Sequence, residues 1–263
     1  MRDGAWQQQL GRSAVEHVCR QTQITTPRTI AHQNMIEPKR RRTISTVSVL
    51  KPAYSIRGEE EKTTGPETDN PTLEALLAAV RDCRACEAHL PLGPRPVLRA
   101  GDTARILIVG QAPGARVHAT GIPWDDLSGE RLRTWMGVDK EIFYDESRIA
   151  IIPMGYCYPG RGTDGDMPPR GECAALWLDQ LLARLPLIEL TLLIGQYAQR
   201  HFLGSRRKPS LAETAKSWRE YAPQFIPLPH PSPRNQPWFK QHPWFERQLV
   251  PMLRARIKAL SAR

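Results

Sequence analysis

Several features that would fix a protein's class are missing from this sequence of 263 residues. No apolar run reaches about 18 residues, so the sequence predicts no membrane-spanning helix. The amino terminus lacks the charged, apolar and small residues that form a secretory signal in that order, so we expect a cytoplasmic protein. Five cysteines without an export signal argue against a disulfide framework. These absences together predict a soluble domain that has no membrane partner.

Acidic residues are also scarce in the last quarter of the chain. Residues 196–263 hold 13 Lys/Arg and 3 Asp/Glu, so their net charge of +10 equals that of the whole chain. Basic residues interleaved with aromatic ones suit a phosphate backbone and exposed bases. The alternative is a solvated helix over an aromatic core. Within this quarter we expect the basic cluster (Arg206, Arg207 and Lys208) to contact backbone phosphates, unless it is a solvated loop.

Two regions of different character divide the chain. Residues 1–70 are rich in Gln, Thr, Arg and Pro and show little apolar periodicity, which predicts a disordered basic and polar tail. Strand and helix patterns alternate from 71 to 263 and predict a three-layer α/β/α domain with a mostly parallel, four-stranded central sheet. The predicted strands cover 105–110, 148–155, 190–195 and 225–229. The predicted helices cover 73–81, 128–135, 172–185, 196–203, 210–221 and 243–260, with Ser210 and Glu213 forming a capping box.

Two of the predicted strands end abruptly in turn residues. Gly110–Gly114 follows the apolar run 106–109, and the sequence His-Pro-Ser-Pro-Arg-Asn at 230–235 follows the run 225–229. The carboxyl ends of parallel strands meet at one edge of the sheet, where ligands bind. The two loops therefore predict a single site with a backbone cradle and an imidazole.

Four of the five cysteines have a spacing that suits a metal centre. They are arranged as Cys83-x-x-Cys86, Cys157 and Cys173, with a segment rich in Gly and Pro between the last two. Four thiolates suit either a [4Fe–4S] cluster or tetrahedral zinc. The second pair lacks the tight spacing of zinc ribbons, which favours the iron–sulfur cluster. The alternative is a set of unrelated buried thiols.

Six motifs in this order resemble the uracil-DNA glycosylase superfamily, most closely its bacterial and archaeal iron–sulfur branch, family 4. That branch has a C-x-x-C pair, a GEAPG-like loop, a G-x-P-F segment, two further cysteines and a final HPS or HPA motif. The corresponding residues here are Cys83/Cys86, Gly110–Gly114, Gly121–Trp124, Cys157, Cys173 and His230–Ser232. The resemblance extends from about Thr72 to the carboxyl terminus.

The resemblance implies an enzyme that excises a deaminated base, most simply uracil, from DNA by hydrolysing the N-glycosidic bond in base excision repair. It implies a bacterial-type protein that associates with the nucleoid through DNA, and we expect a monomer. Three alternatives stay open. They are excision of a different damaged base such as hypoxanthine, a DNA-binding protein without turnover, and a binding module stabilised by zinc.

The resemblance also assigns roles to single residues. It makes His230 the donor that stabilises negative charge on the departing base, with a gain of about 3–4 kcal/mol. The alternative is a His that caps the backbone of its own loop. Gln111 stands where the family has an acidic residue, so it can contact the base or a water but cannot act as a general base. Trp124 takes the place of the aromatic residue that stacks on the flipped base, and the alternative is an ordinary core Trp. Pro153 stands where the family has an Asn that reads the uracil edge.

Further residues complete the predicted site. The backbone of Gly110, Ala112, Pro113 and Gly114 is expected to contact the base or its sugar. Either Asp125 or Asp126 could supply the missing carboxylate, although both could instead begin the next helix. In the last motif, Ser232 is expected to hold a phosphate. Arg234 is expected to fill the gap left by the flipped base, and Asn235 to meet the DNA.

Overall fold

The computed structural model describes residues 71–163 and 165–261. The predicted tail over 1–70 lies outside these described residues, as does Cys19. Within the described part of the chain, no helix is long and apolar enough to cross a membrane.

The centre of the fold is a four-stranded sheet whose paired strands all run parallel. The strands are β1 (Ile106–Val109), β2 (Ile149–Ile151), β3 (Leu190–Ile194) and β4 (Phe225–Leu228), and their order across the sheet is β2-β1-β3-β4. Strands β1, β2 and β3 are buried along their whole length because helices cover both faces, as is typical of parallel sheets.

Alternate residues of the strands point into two apolar layers. In β1, Leu107 and Val109 belong to one layer, and Ile106 and Ile108 belong to the other. The first layer also contains residues of α1 (Leu73–Arg81), α6 (Asp179–Leu182) and α7 (Gly195–Leu203). The second contains residues of α3 (Leu127–Met136) and α10 (Val250–Ser261). The predicted three-layer α/β/α arrangement is therefore confirmed.

Several helix predictions agree closely with the structure. Helix α1 has the predicted bounds, and α8 (Leu211–Lys216) begins with the predicted capping box of Ser210 and Glu213. The predicted helix over 210–221 is too long, because α8 ends at Lys216 and a separate 3-10 turn covers Trp218–Glu220. Three helices were not predicted, α2 (Ala115–Thr120), α4 (Lys140–Tyr144) and α9 (Gln236–Gln241). Their six, five and six residues span less than two turns, too few for a helical period to stand out.

The two longest predicted helices are interrupted. The helix expected over 172–185 consists of α5 (Gly171–Cys173), a π-helical turn (Ala174–Leu178) and α6. The closing helix expected over 243–260 consists of a π-helical turn (Phe245–Leu249) followed by α10, and α9 (Gln236–Gln241) precedes it. A π turn accommodates one extra residue per turn, which a search for the 3.6-residue period does not detect.

The predicted strand over 148–155 is shorter than expected, because β2 ends at Ile151. Pro153 has no N–H to donate. The backbone around it nevertheless continues alongside β1, since the N–H of Ile152 donates to Ile108 O at 3.0 Å and that of Met154 donates to Gly110 O at 2.9 Å. The segment after β2 is thereby held against the loop that follows β1, at the carboxyl edge of the sheet.

Candidate active site

A cavity of about 550 Å³ opens at the carboxyl edge of the sheet. This volume is in the range of sites that bind small organic groups. Ten of the predicted site residues line it: Gly110, Gln111, Ala112, Pro113, Gly114, Trp124, His230, Ser232, Arg234 and Asn235. The two loops predicted to form one site therefore do come together. Pro153 lines the same cavity.

His230 is held in a defined protonation state. Its Nδ1 accepts a hydrogen bond from the backbone N–H of Ser232 at 3.1 Å. Burial lowers the pKa of His230, and the nearby carboxylate of Asp126 opposes this shift. Because a backbone N–H only donates, the neutral ring must carry its proton on Nε2. Nε2 is therefore a hydrogen-bond donor that is available to a ligand in the cavity.

The loop that carries His230 is fixed by its own polar groups. The side-chain amide of Asn235 donates to His230 O at 2.8 Å, and Ser232 Oγ accepts from the backbone N–H of Arg234 at 3.2 Å. Arg131 on α3 donates to Ser232 O at 3.1 Å across 101 positions of sequence. The predicted DNA-contacting residues Ser232 and Asn235 thus also hold the imidazole in place. No sequence pattern predicts this role of Arg131.

Gly110 and Trp124 fit tightly against each other. A Cβ atom at position 110 would lie 2.9 Å from Cζ2 of the Trp124 ring, so a glycine is required for the ring to occupy this place. Trp124 has a φ of 57°, which is rare for a bulky residue. Its carbonyl oxygen lies so close to Gly129 on α3 that a Cβ atom there would be only 1.8 Å away. The same oxygen accepts a hydrogen bond from Arg133, also on α3, at 3.3 Å. The strained backbone is therefore held by α3.

The Trp124 ring forms a wall of the cavity beside the imidazole. The ring centroids of Trp124 and His230 are 5.6 Å apart, with an angle of 35° between their planes. An aromatic face and an N–H donor thus border the same space. This arrangement suits a flat heterocycle that stacks on the indole and accepts a hydrogen bond at its edge.

The side chain of Gln111 is engaged with another loop. Its Nε2 donates to Met167 O at 3.0 Å, and its backbone oxygen accepts from Gly155 N at 2.9 Å. The predicted contact of this amide with a base or water is therefore not what the side chain does in this structure. Instead, Gln111 attaches the segment between Cys157 and Cys173 to the cavity.

Three aspartates near the cavity differ in their partners. Asp125 does not line the cavity; it pairs with Arg116 at 3.7 Å. Asp126 lines the cavity and caps α3 through a 2.8 Å bond from Gly129 N. The third, Asp166, also lines the cavity and was missed by the sequence reasoning. It lies in the segment rich in Gly and Pro between Cys157 and Cys173, whose pattern predicts only a connection between the two cysteines.

The basic cluster lies apart from this cavity. None of its three residues lines it. The guanidinium of Arg206 lies 5.8 Å from the ring centre of Phe225, which is at the amino end of β4. Lys208 pairs with Glu220 at 2.6 Å. Contact between the basic cluster and DNA phosphates stays a prediction.

A family profile described as the uracil DNA glycosylase superfamily matches residues 99–254. The match covers more than half of the chain and includes both loops of the cavity. The chain belongs to the uracil DNA glycosylase superfamily. Since this superfamily acts on DNA, the domain is a DNA glycosylase-like domain. The predicted membership is confirmed, and the assignment to the iron–sulfur branch stays a prediction.

The superfamily match does not extend to all four cysteines, since Cys83 and Cys86 precede residue 99. In the structure the four thiols nevertheless line one small cavity. Burial raises the pKa of the Cys157 thiol and raises that of Cys173 to about 11, and the neighbouring thiols add to both shifts. The backbone N–H of Tyr156 donates to Cys173 Sγ at 3.4 Å. The topology thus gathers thiols that are far apart in sequence.

The side-chain arrangement does not form a site for one ion. Among residues 71–163 and 165–261, no group of three or more His, Cys, Asp or Glu side chains is arranged so that it could hold a metal ion. The four thiols therefore share a cavity without being gathered around one point. They are free cysteines.

Proposed function

We propose that this member of the uracil DNA glycosylase superfamily excises a deaminated base, most simply uracil, from DNA in base excision repair. The observation that carries the proposal is the imidazole of His230, which lines the cavity and whose Nδ1 is occupied by the loop, so that Nε2–H is left as the donor. Such a donor stabilises the negative charge that grows on a departing base.

The cavity residues suit each part of base excision. A glycosylase extrudes the target nucleotide from the stack and holds its base in a pocket. Trp124 provides a face on which the base stacks, and the glycines at 110 and 114 let the backbone approach it closely. As the bond between C1′ and the base nitrogen breaks, the base accepts a hydrogen bond from His230. Arg234 at the same cavity provides a positive charge for the DNA strand.

A second candidate function is excision of another damaged base, such as hypoxanthine. Pro153 favours it, because this cavity-lining residue stands where the resemblance expects an Asn that reads uracil, and Pro has no side-chain donor or acceptor. A DNA-binding protein without turnover is a third candidate, favoured by Gln111, whose amide cannot act as a general base.

Strand cleavage after alkali treatment tests these candidates. The substrates are oligonucleotides that each carry a single uracil, hypoxanthine, xanthine or ethenocytosine. Cleavage at uracil is the expected result. Cleavage at another lesion and not at uracil would establish the second candidate. Tight DNA binding without cleavage of any of the four substrates would overturn the enzymatic proposal and establish the third.

The cysteines support a [4Fe–4S] cluster as part of this proposal. A single zinc ion needs all its ligand atoms within about 2.3 Å of one centre, whereas a cluster spreads four thiolates around a larger body. Cys83 and Cys86 follow α1, Cys157 follows β2, and Cys173 ends α5. A cluster bound there would tie these elements together and would have a structural role.

Metal analysis of protein purified without oxygen tests the cluster. We expect brown protein with about four irons per chain. Cys173→Ser should lose iron, whereas Cys19→Ser, outside the proposed ligand set, should retain it. Colourless protein with one zinc per chain would replace the cluster with the zinc alternative. Sizing chromatography in the same preparation tests the expected monomer.

A further inference from the structure

The geometry points to Asp166 as the carboxylate that binds and deprotonates the attacking water, with Gln111 positioning the loop that carries it. This inference rests on the proposed glycosylase function. It assigns the water-activating role to a different loop from the one in which the family resemblance places an acid. It also explains why position 111 carries an amide in place of the family's acid.

Asp166 lies at the cavity beside the first loop. It lines the cavity together with His230 and Gly114. Its Oδ2 is 3.3 Å from the position that a Cβ atom at residue 114 would take, so a glycine there leaves the carboxylate room to approach the loop backbone. Much of the residue is exposed while its carboxyl group is partly buried, so solvent can still deliver the water and remove its proton.

Asp166 is also the aspartate whose oxygens are not committed. Asp125 pairs with Arg116, and Asp126 uses Oδ1 to cap α3. For the carboxylate of Asp166, the described residues provide neither a hydrogen-bond donor nor an ion-pair partner. A carboxylate that is in contact with solvent at a cavity, and that has no hydrogen bond or ion pair to satisfy, is able to accept a proton from water.

The loop around Asp166 is held in place by backbone bonds. Gly162 N donates to Gly165 O at 2.6 Å, and Met167 N donates to Gly160 O at 2.9 Å. Arg161 and Asp166 form an antiparallel β-bridge. These bonds close the loop on itself, so it can carry a side chain at a defined position.

Gln111 then fixes this loop to the cavity. Its Nε2 donates a hydrogen bond to the carbonyl oxygen of Met167, which is the residue directly after Asp166. An ionised Glu at position 111 would place an acceptor against this carbonyl oxygen and repel it. An amide at 111 and a carboxylate at 166 are therefore complementary. The first loop thus has a hydrogen-bond donor where the family has an acid, and this donor positions the acid of a second loop.

The charges around Asp166 suit a base. Burial raises the pKa of the Asp166 carboxyl, the guanidinium groups of Arg234 and Arg161 act in the opposite direction, and Asp126 adds to the increase. A raised pKa makes a carboxylate a stronger base while it stays ionised at neutral pH. Both arginines also stabilise its charged form.

Water displaces the base at C1′ of the sugar in the proposed step. The water oxygen forms a bond to C1′ of the sugar as the bond from C1′ to the base nitrogen breaks, and the bonding electrons leave with the base. His230 donates a hydrogen bond to the resulting anion. The proton lost by the water passes to the carboxylate of Asp166 and then to solvent.

The test compares single-turnover excision by wild type and Asp166→Asn on the lesion that wild type cleaves. We expect the variant to be about 10²–10⁴-fold slower, as when a general base is lost. Binding of DNA that contains an uncleavable abasic analogue should be unchanged. Asp102→Asn removes the same charge from an exposed turn before β1, at the opposite edge of the sheet, and should excise at the wild-type rate.

Two further measurements separate chemistry from folding. The wild-type rate should fall at acidic pH as Asp166 is protonated, and this fall should disappear in Asp166→Asn. Gln111→Glu should be slower than wild type because it loses the bond to Met167. Equal rates for wild type and Asp166→Asn, or a faster Gln111→Glu, would overturn the role of Asp166. A wild type that cleaves no lesion would overturn the glycosylase proposal and this one with it.

Discussion

The protonation state of His230 makes a prediction that a single alanine variant would not test. The two ring nitrogens have separate roles, because Nδ1 accepts from Ser232 N and Nε2 is left as the donor. Asn can place an amide atom near the position of Nδ1 but is too short to reach that of Nε2. Gln is one bond longer and can place an N–H near Nε2. The pair His230→Asn and His230→Gln therefore separates the loop contact from the donor.

The expected magnitude comes from the loss of one preorganised donor. Removing such a donor costs about 2.7–4 kcal/mol of transition-state stabilisation, or about 10²–10³-fold in rate. His230→Asn should show the full loss while keeping the melting temperature close to that of wild type. His230→Gln should recover part of the rate. Single-turnover excision is the appropriate assay, because slow product release does not then conceal the chemical step.

A His230→Asn variant as fast as wild type would refute this reasoning, since it would show that Nε2 does not act on the base.

The pH dependence of stability gives an independent check. Burial lowers the folded-state pKa of His230, so the unfolded chain takes up this proton first as pH falls. The stability that depends on the neutral ring is therefore complete above about pH 6.5 and is lost as pH falls through the folded pKa. The decrease in melting temperature as pH falls should therefore be smaller in His230→Asn than in wild type.

Three further predictions concern packing and charge. Gly110→Ala should push the Trp124 ring away from the new methyl group and slow excision by up to about 10²-fold, whereas Gly171→Ala, with no described atom within 4 Å, should not. Replacing the basic cluster by Gln should reduce the slope of log affinity against log salt by about 0.9 for each residue on a phosphate, and an unchanged slope would exclude it from the interface. Leu253→Ala, at a fully buried position in α10, should lower the free energy of unfolding by about 2–5 kcal/mol in urea titrations.

The features predicted correctly are those that depend on local patterns. The apolar run at 106–109 predicted a buried strand, and the turn residues after it predicted the cavity loop. The capping box of Ser210 was readable because both of its partners lie within three residues. Local chemistry and tertiary structure agree at these places, so the sequence is sufficient.

The features that were missed depend on contacts between distant segments. Asp166 reaches the cavity because Gln111 bonds to Met167, 56 positions later in the sequence, and the glycines and prolines around it have no periodic pattern. The choice between Asp125 and Asp126 could not be made because both precede a helix, and the cap formed by Asp126 became visible only in the structure. The role of Arg131 depends in the same way on the path of a distant loop.

The backbone around Pro153 has a consequence for the evolution of substrate range. Hydrogen bonds from this segment to β1 use the N–H groups of Ile152 and Met154, while Pro153 lies between them with no N–H. Exchanging this residue therefore breaks no backbone bond of the sheet, and the loss of proline's rigidity costs about 0.4–1 kcal/mol. A residue that lines the cavity can thus change almost independently of the fold. Selection, natural or in a library restricted to this codon, can alter which base the cavity accepts without first requiring a stabilising mutation elsewhere.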